Sequence, residues 1–328
     1  MVDLEAIDKL RHEDPASCLT ASKRALKEVS WRELPWALGV YGSALRVEGH
    51  IPEAHRALAG GLKCARKISN RMFEADLLQR ASYVVADSED YEEALELSEL
   101  ALLTYALIAD HPGIGKATLV RATWFLALDR FKDATAAYES ALSYLPKSFQ
   151  GYRHSAVHGL GLVNFQQGKF DEALSYLNEA VNMSDGLGPL LRAKSAWLKA
   201  SLLAHRGALK EACEAYDLTI QNLAPSPIDA GLASLELIKL LYKNGEALQA
   251  LKVARTMAGL IGPVSMKSRL AGATLTQLVN LAFQGETTIL DTLGRCEIQL
   301  MRLRQQGTAA QKQDQPPGSV QGPALVDG

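Results

Sequence analysis

The sequence predicts an all-α protein in which antiparallel helix pairs stack into a right-handed superhelical solenoid. The first observation is a helix–break–helix unit, clearest in residues 159–185, where two amphipathic segments flank a break at residues 167–169. The second observation is that this unit recurs along the chain at a nearly constant spacing. One such pair has more apolar surface than it can bury alone, so it needs copies stacked on it.

The residues inside the unit follow the geometry of two crossing helices. Gly161 lies seven residues before Gly168 in the break, and Ala173 lies five residues after it. Because two helices approach closely only where side chains are small, Gly161 and Ala173 are expected at the crossing. Phe170 and Leu177 are expected to fill the space beside the crossing.

The alanine of this unit marks its copies along the chain. Successive marker alanines are 40, 40, 39, 39 and 38 residues apart. The last copy differs most, because Ile238 stands where the other copies have a small residue in the first helix. The sequence therefore predicts six units. The six marker alanines are Ala54, Ala94, Ala134, Ala173, Ala212 and Ala250.

The order of small residue, break, aromatic residue, alanine, large apolar residue and alanine resembles the tetratricopeptide-repeat family over residues 35–262. The family unit is about 34 residues long, whereas these units are 38 to 40, which is similar to the long-repeat bacterial members. The rival fold is a HEAT- or armadillo-type stack, whose period is about 40–47 residues. A Glu-Ala pair after the break, present in four units, favours the tetratricopeptide interpretation.

Four segments are predicted. Residues 1–34 form N-terminal capping helices, in which Asp14 followed by Pro15 starts a helix that reads as half of an incomplete repeat. Residues 35–262 form the six repeats, and residues 263–306 form a degenerate helix pair that caps the C-terminal end. Residues 307–328 are polar and rich in proline and glycine, which predicts a disordered tail.

Composition argues against several classes of partner. The 328 residues are 48% apolar, enough for a continuous core, and the formal net charge of −2 gives no electrostatic signature of nucleic-acid or membrane binding. The four cysteines form no CxxC pair. No signal peptide or apolar span of about 18 residues is apparent, so we predict a cytoplasmic protein.

No catalytic set is apparent, so the sequence predicts a non-enzyme without cofactor or metal. The segment 111–116 resembles a phosphate-binding loop, but it has Asp110 where that loop needs glycine and Ala117 where it needs Ser or Thr. His154 and His158 are four residues apart on one helix and make half of a zinc site. A third ligand, such as His205, would have to come from a neighbouring helix.

The family resemblance implies that the first helix of each pair lines the concave side of the stack. Aromatic and basic residues mixed along such a groove suit an extended peptide or a partner helix, and the basic last two units suggest a partner of acidic character. The alternative for Trp197 and Tyr83 is a packing role between helices. The predicted groove residues are Trp36, Arg46, Gln79, Tyr83, Thr123, His158, Lys194, Trp197, Ser201, His205, Lys239 and Tyr242.

The sequence therefore predicts a non-enzymatic scaffold or adaptor that binds a protein or peptide segment in its concave groove. The alternative is the ligand- or peptide-sensing domain of a transcriptional regulatory protein, because the long-repeat members that this chain resembles include such domains. Neither hypothesis involves nucleic acid or membrane as a direct partner of this chain.

Overall fold

The computed structural model describes residues 2–223, 226–261, 293–298 and 300–301, and within these ranges the chain forms helices and turns without any strand. The predicted all-α class is therefore confirmed. Fourteen helices follow one another between residues 4 and 261 of this described part. They are α1 (Leu4–Glu13), α2 (Pro15–Ala25), α3 (Leu34–Val47), α4 (Ile51–Lys67), α5 (Arg71–Ala86), α6 (Tyr91–Leu107), α7 (His111–Ala127), α8 (Phe131–Tyr144), α9 (Gln150–Gln166), α10 (Phe170–Met183), α11 (Pro189–His205), α12 (Leu209–Asn222), α13 (Pro227–Lys243) and α14 (Ala247–Ile261).

The helices are arranged as pairs that follow one another along a stack. From α3 onwards, each odd-numbered helix packs most extensively against the even-numbered helix after it, and that helix packs against the next odd-numbered one. Odd-numbered helices also contact one another, as α3 contacts α5 and α7 contacts α9. Because this brings the odd-numbered helices close together, the stack curves toward them. We call the layer of odd-numbered helices the inner face and the layer of even-numbered helices the outer face.

The crossings within the pairs contain the small residues that the sequence indicates. Ala173 has no exposed surface. A Cβ atom added at Gly161 would lie 2.9 Å from the Leu177 side chain, which itself is fully buried. At this point α9 and α10 therefore lie too close together for a residue larger than Gly161 or Ala173 to fit.

The turn inside each of the six pairs between α3 and α14 has the same backbone conformation. The residue five positions before each marker alanine has a positive φ, between 55° and 82°. Glycine adopts this conformation without steric cost, and it occupies four of the six turns. The chain therefore reverses direction in the same way in every pair. The six residues are Gly49, Glu89, Asp129, Gly168, Gly207 and Gly245.

The N-terminal helices add a shorter pair to the stack. The side chain of Asp14 accepts a hydrogen bond from the backbone N–H of Ser17 at 3.1 Å, and Pro15 occupies the first turn of α2. This confirms the predicted helix start. Leu4 of α1 is buried against Ala25 and Ala37, so α1 contacts α3 as the next inner helix.

The C-terminal part of the chain lies mostly outside the described residues. The predicted cap of residues 263–306 is described only at 293–298 and 300–301, and the predicted tail of residues 307–328 is not described. Leu293, Cys296 and Leu300 are fully buried and pack into the apolar cluster of the last described pairs.

No helix in the described part is both long enough and apolar enough to span a membrane.

Enlarging a crossing residue should be costly because the space beside it is filled. We expect Ala173→Leu to lower the free energy of unfolding by about 1–3 kcal/mol through overpacking. Urea unfolding followed by circular dichroism measures this change. Ala136→Leu, at an exposed position of the outer helix α8, is the matched control and should change stability by less than about 0.5 kcal/mol. Equal effects of the two substitutions would contradict the assigned crossing.

Candidate functional site

At the N-terminal end of the inner face, the side chain of one arginine is surrounded by the residues to which it donates hydrogen bonds. Arg80 of α5 donates to Asp8 of α1 at 2.9 Å, to Asp76 at 2.7 Å and to the hydroxyl of Ser43 on α3 at 2.8 Å. Burial lowers the pKa of Arg80, but the carboxylates of Asp76 and Asp8 outweigh this effect and raise it. Three successive inner helices are thereby joined by one guanidinium group.

The predicted groove residues beside this arginine are also engaged. Arg46 donates to Asp87 at 3.1 Å and lies over the ring of Tyr83, with 5.3 Å between the guanidinium carbon and the ring centroid. Tyr83 meets the ring of Trp124 edge-on at 5.5 Å, and burial raises the pKa of Tyr83 to about 12. Trp36 stacks on a phenylalanine of α5 at 6.4 Å. These side chains hold the first units together.

Gln79 lies on the same part of the inner face and is half-buried. Its Oε1 atom is buried and accepts no hydrogen bond from any described residue. A buried amide oxygen without a donor is costly, so a donor supplied by a ligand would be favourable here. Gln79 therefore offers a buried acceptor that no described residue uses.

The centre of the inner face is aromatic and basic. Lys116 of α7 places its amine over the rings of Phe149 and Tyr152, at 5.1 and 5.2 Å from the ring centroids. Tyr152 is 42% exposed, and Thr123 on α7 is also exposed. Lys116, Phe149 and Tyr152 thus form an accessible cation–aromatic group on two successive inner helices.

Two histidines of α9 share one serine of α11. The hydroxyl of Ser195 lies 3.1 Å from Nε2 of His154 and 3.1 Å from Nδ1 of His158. A hydroxyl can donate to one ring nitrogen and accept from the other, which fits two neutral rings. Desolvation lowers the pKa of His154, with Lys194 contributing. Desolvation, followed by His154 and Lys194, lowers the pKa of His158 to about 4.

His205 does not join these histidines. Its ring lies 5.0 Å from the ring of Phe170 and 6.5 Å from that of Phe165, at the end of α11. Among the residues that the structure describes, no three His, Cys, Asp or Glu side chains are placed to hold a metal ion. The pair His154–His158 therefore reads as a packed hydrogen-bonded group between two inner helices.

The histidine pair predicts a dependence of stability on pH. Because the folded-state pKa of His158 lies below the usual 6.5, the unfolded chain binds more protons between pH 6.5 and 4. Stability is therefore full above pH 6.5 and falls as the pH drops toward 4, by about 2 kcal/mol at pH 5. Melting curves at pH 7.5 and 5 measure this loss. His158→Gln should remove the part due to His158 and leave the part due to His154, whose pKa is also lowered. His55→Gln, an exposed position, should keep the pH dependence of the wild type. A loss in His158→Gln as large as that of the wild type would contradict the assignment.

A carboxylate that the sequence did not single out organises the last units. Glu236 of α13 accepts hydrogen bonds from the indole N–H of Trp197 at 2.9 Å, the hydroxyl of Tyr216 at 2.9 Å and the hydroxyl of Ser201 at 3.3 Å. Burial, with the charge of Glu236, raises the pKa of Tyr216. Trp197 and Ser201 thus take part in joining α11 to α13, which is the packing role that the sequence left open for Trp197.

The remaining predicted residues lie on α11 and α13. Lys239 forms an ion pair of 2.5 Å with Glu297, and Tyr242 is half-buried within the apolar cluster of the last pairs. Lys194 is exposed on α11. The structure therefore does not bring all twelve predicted residues into one site. Those that remain accessible, with Lys116 and Tyr152, lie on the helices α7, α9 and α11.

These three inner helices share a further property, which is their charge. None of them contains an Asp or Glu residue, while together they contain six Lys or Arg residues. The outer helices beside them, α8, α10 and α12, each carry acidic residues. The inner helices in the middle of the stack therefore carry positive charge without negative charge, although Arg121 pairs with Glu99 of α6 and Lys199 lines a cleft shared with α10 and α12. The six cations are Lys116, Arg121, Arg153, Arg192, Lys194 and Lys199.

The comparison with protein families supports the repeat assignment. The model described as Tetratricopeptide repeat matches residues 119–189 and 158–227. This region includes the acid-free helices α9 and α11 and most of α7. No curated protein matches the sequence significantly.

Solved structures show the same fold along most of the chain. A Rap protein complexed with Competence and Sporulation Factor is 12% identical with a TM-score of 0.59, and the match covers 90% of this chain and 81% of that one. The quorum sensor NprR from B. thuringiensis, in complex with its cognate peptide NprX, is 12% identical with a TM-score of 0.53, covering 90% and 87%. PilF from Pseudomonas aeruginosa is 18% identical with a TM-score of 0.53, covering 78% and 99%.

Proposed function

We propose that this chain, a member of the tetratricopeptide-repeat superfamily, is a non-enzymatic adaptor that binds an acidic segment of a protein or peptide along its inner face. The superfamily fold is typical of protein-interaction scaffolds rather than catalysts. One observation carries the proposal, namely that three successive inner helices contain cations and no carboxylate. A partner that supplies carboxylates would neutralise the positive charge of these helices.

The cations of these helices differ in what they already bind. Arg121 and Arg192 form ion pairs with acidic residues outside the three helices, and Arg153 donates to two backbone carbonyls. Lys199 lines the cleft between α10 and α12 together with Glu211 and Glu214. Lys116 lies over aromatic rings, and Lys194 forms no ion pair with any described residue. Lys116 and Lys194 are therefore the cations of these helices that are available to a ligand carboxylate.

The two ends of the inner face are less suited to this role. At the N-terminal end, Arg80 and Arg46 are already paired with Asp8, Asp76 and Asp87. At the C-terminal end, Glu236 and the Lys239 ion pair add carboxylates to the surface. An acidic segment would therefore bind across α7, α9 and α11, with Tyr152 as an aromatic anchor between the two lysines.

Selection from a random peptide library against the full chain tests the proposal. We expect the selected peptides to be enriched in Asp and Glu. Fluorescence anisotropy with the best peptide should show that Lys116→Glu/Lys194→Glu weakens binding at least about tenfold. Lys132→Glu/Lys210→Glu reverses two exposed charges on the outer helices α8 and α12 and should leave binding within about threefold of wild type. Selected peptides without acidic bias, or equal loss in both variants, would contradict the proposal.

A peptide-sensing domain of a regulatory protein is the second candidate, and it uses the same groove. It is favoured by the similarity in fold to NprR, a quorum sensor solved with its cognate peptide. A sensor should change shape on binding, whereas an adaptor need not. Small-angle scattering with and without the selected peptide distinguishes the two, because a sensor would show a changed radius of gyration.

A further inference from the structure

The outer helix α6 carries leucines that the described residues cover only in part. Leu100 and Leu103 are each 49% exposed and Leu107 is 76% exposed, and Ile108 follows at 37%. The leucines are three and four residues apart, so they lie along one side of the helix. We call Leu100, Leu103 and Leu107 the leucine stripe. Half-exposed leucines in a row are characteristic of a helix that packs against another helix.

The stack itself does not need the leucine stripe. At the same distances from their own marker alanines, the other outer helices have polar residues or glycine in place of these leucines, with one exception. The exception is Leu218, which lines a cleft between α10 and α12. The leucine stripe is therefore a property of one unit. The matching described residues are Gly60, Lys63 and Lys67 in α4, Ser140 and Ser143 in α8, Glu179 and Asn182 in α10, Leu218 and Gln221 in α12, and Thr256 in α14.

We propose that the leucine stripe is the contact between two copies of this chain, which pair through their α6 helices in antiparallel orientation. The stripe is nearly symmetric about Leu103. An antiparallel copy therefore sets Leu100 against Leu107 of the partner subunit, and Leu103 close to Leu103 of the partner subunit. This is the self-complementarity that a two-fold dimer requires.

The charges on α6 fix the orientation of the pair. Glu92, Glu93 and Glu96 are exposed on the half of α6 that precedes the leucines. A parallel pair would bring these carboxylates together, which is unfavourable. An antiparallel pair moves them past the leucines of the other copy. Close to that point, the neighbouring outer helix α4 presents the exposed Lys67 at the level of Leu107.

Sedimentation equilibrium of the full chain at concentrations from roughly 1 to 200 µM tests the dimer. We expect a monomer–dimer equilibrium whose dissociation constant rises about tenfold or more in Leu103→Glu/Leu107→Glu. These positions are exposed, so circular dichroism and the melting temperature should confirm that the variant folds. Leu248→Glu is the matched control, because Leu248 is 85% exposed on α14, and it should keep the dimer.

Cysteine cross-linking tests the orientation. Under mild oxidation, an equal mixture of Leu100→Cys and Leu107→Cys should form a disulfide-linked dimer, while each variant alone should give only the wild-type background. Three results would overturn the proposal. They are a wild-type chain that stays monomeric throughout the concentration range, a dimer that survives Leu103→Glu/Leu107→Glu, and self-linking of each single cysteine variant as strong as that of the mixture. The first of these would leave the leucine stripe to a different protein partner.

Discussion

Replacing Arg80 by methionine should lower the free energy of unfolding by about 3 kcal/mol. The side chain of Arg80 is 13% exposed and that of Asp8 is 19% exposed. The substitution therefore takes from a poorly solvated carboxylate the more buried of its two cations, and leaves it with Arg11 at 3.2 Å. Methionine retains the length of the aliphatic chain, which limits the loss of packing. Because α1 is held to α5 by this contact, the N-terminal pair should lose order first. Urea unfolding and hydrogen exchange of α1 measure these two effects.

A double substitution separates the charge effect from general damage. If the weakened pairing of this carboxylate is the cause, Asp8→Asn in the Arg80→Met background should recover part of the lost stability. Arg56→Met is the control, since the side chain of Arg56 is 70% exposed in its ion pair with Glu53. Exposed pairs of this kind contribute little, so this change should cost less than about 0.5 kcal/mol. A comparable loss in Arg56→Met would argue against a special role for Arg80.

Trp197→Ala should lower the free energy of unfolding by about 3–4 kcal/mol, since it removes a large packed ring and one donor to Glu236. Trp197→Phe keeps most of the packing and loses the hydrogen bond, so it should cost about 1 kcal/mol. Thermal and urea unfolding measure both variants. Trp31, which is 64% exposed, provides the control, and Trp31→Ala should change stability by less than about 0.5 kcal/mol.

This prediction bears on how binding experiments are interpreted. A loss of peptide binding in Trp197→Ala would follow from damage to the α11–α13 contact as readily as from a lost ligand contact. Lys116 and Lys194 are better probes of the groove, because neither is buried. A Trp197→Ala variant as stable as the wild type would contradict the packing role of the ring.

The sequence predicted the features of the fold that repeat. A recurring alanine, a small partner residue such as Gly161 and a break between them are local patterns, and packing requires each of them in every copy. The cap at Asp14 was predictable for the same reason, because the residues that form it are adjacent in the chain. It was harder to predict that the turn of every unit has a positive φ at the same position, because Glu89 and Asp129 stand there in two units where the other four have glycine.

The candidate site was less predictable because its contacts join different units. Arg80 meets a carboxylate 72 residues away, and Ser195 meets the two histidines 37 and 41 residues away. Such contacts depend on the rotation between successive pairs, which no single unit encodes. The family register placed Arg46, Tyr83 and Trp197 on inner helices, but it did not show that neighbouring side chains already bind them. The sequence shows that α7, α9 and α11 contain no Asp or Glu, but only after the bounds of these helices are known.

The chain of neighbour-to-neighbour contacts has a mechanical consequence. When the two ends of the array are drawn apart, a slight rotation at every joint adds up to a considerable extension, and no single joint has to break. Arg80 ties three inner helices together at one end, and Ser195 and Glu236 tie α9, α11 and α13 further along. We therefore expect the array to adjust its length to whatever lies along it through small rotations that all joints share.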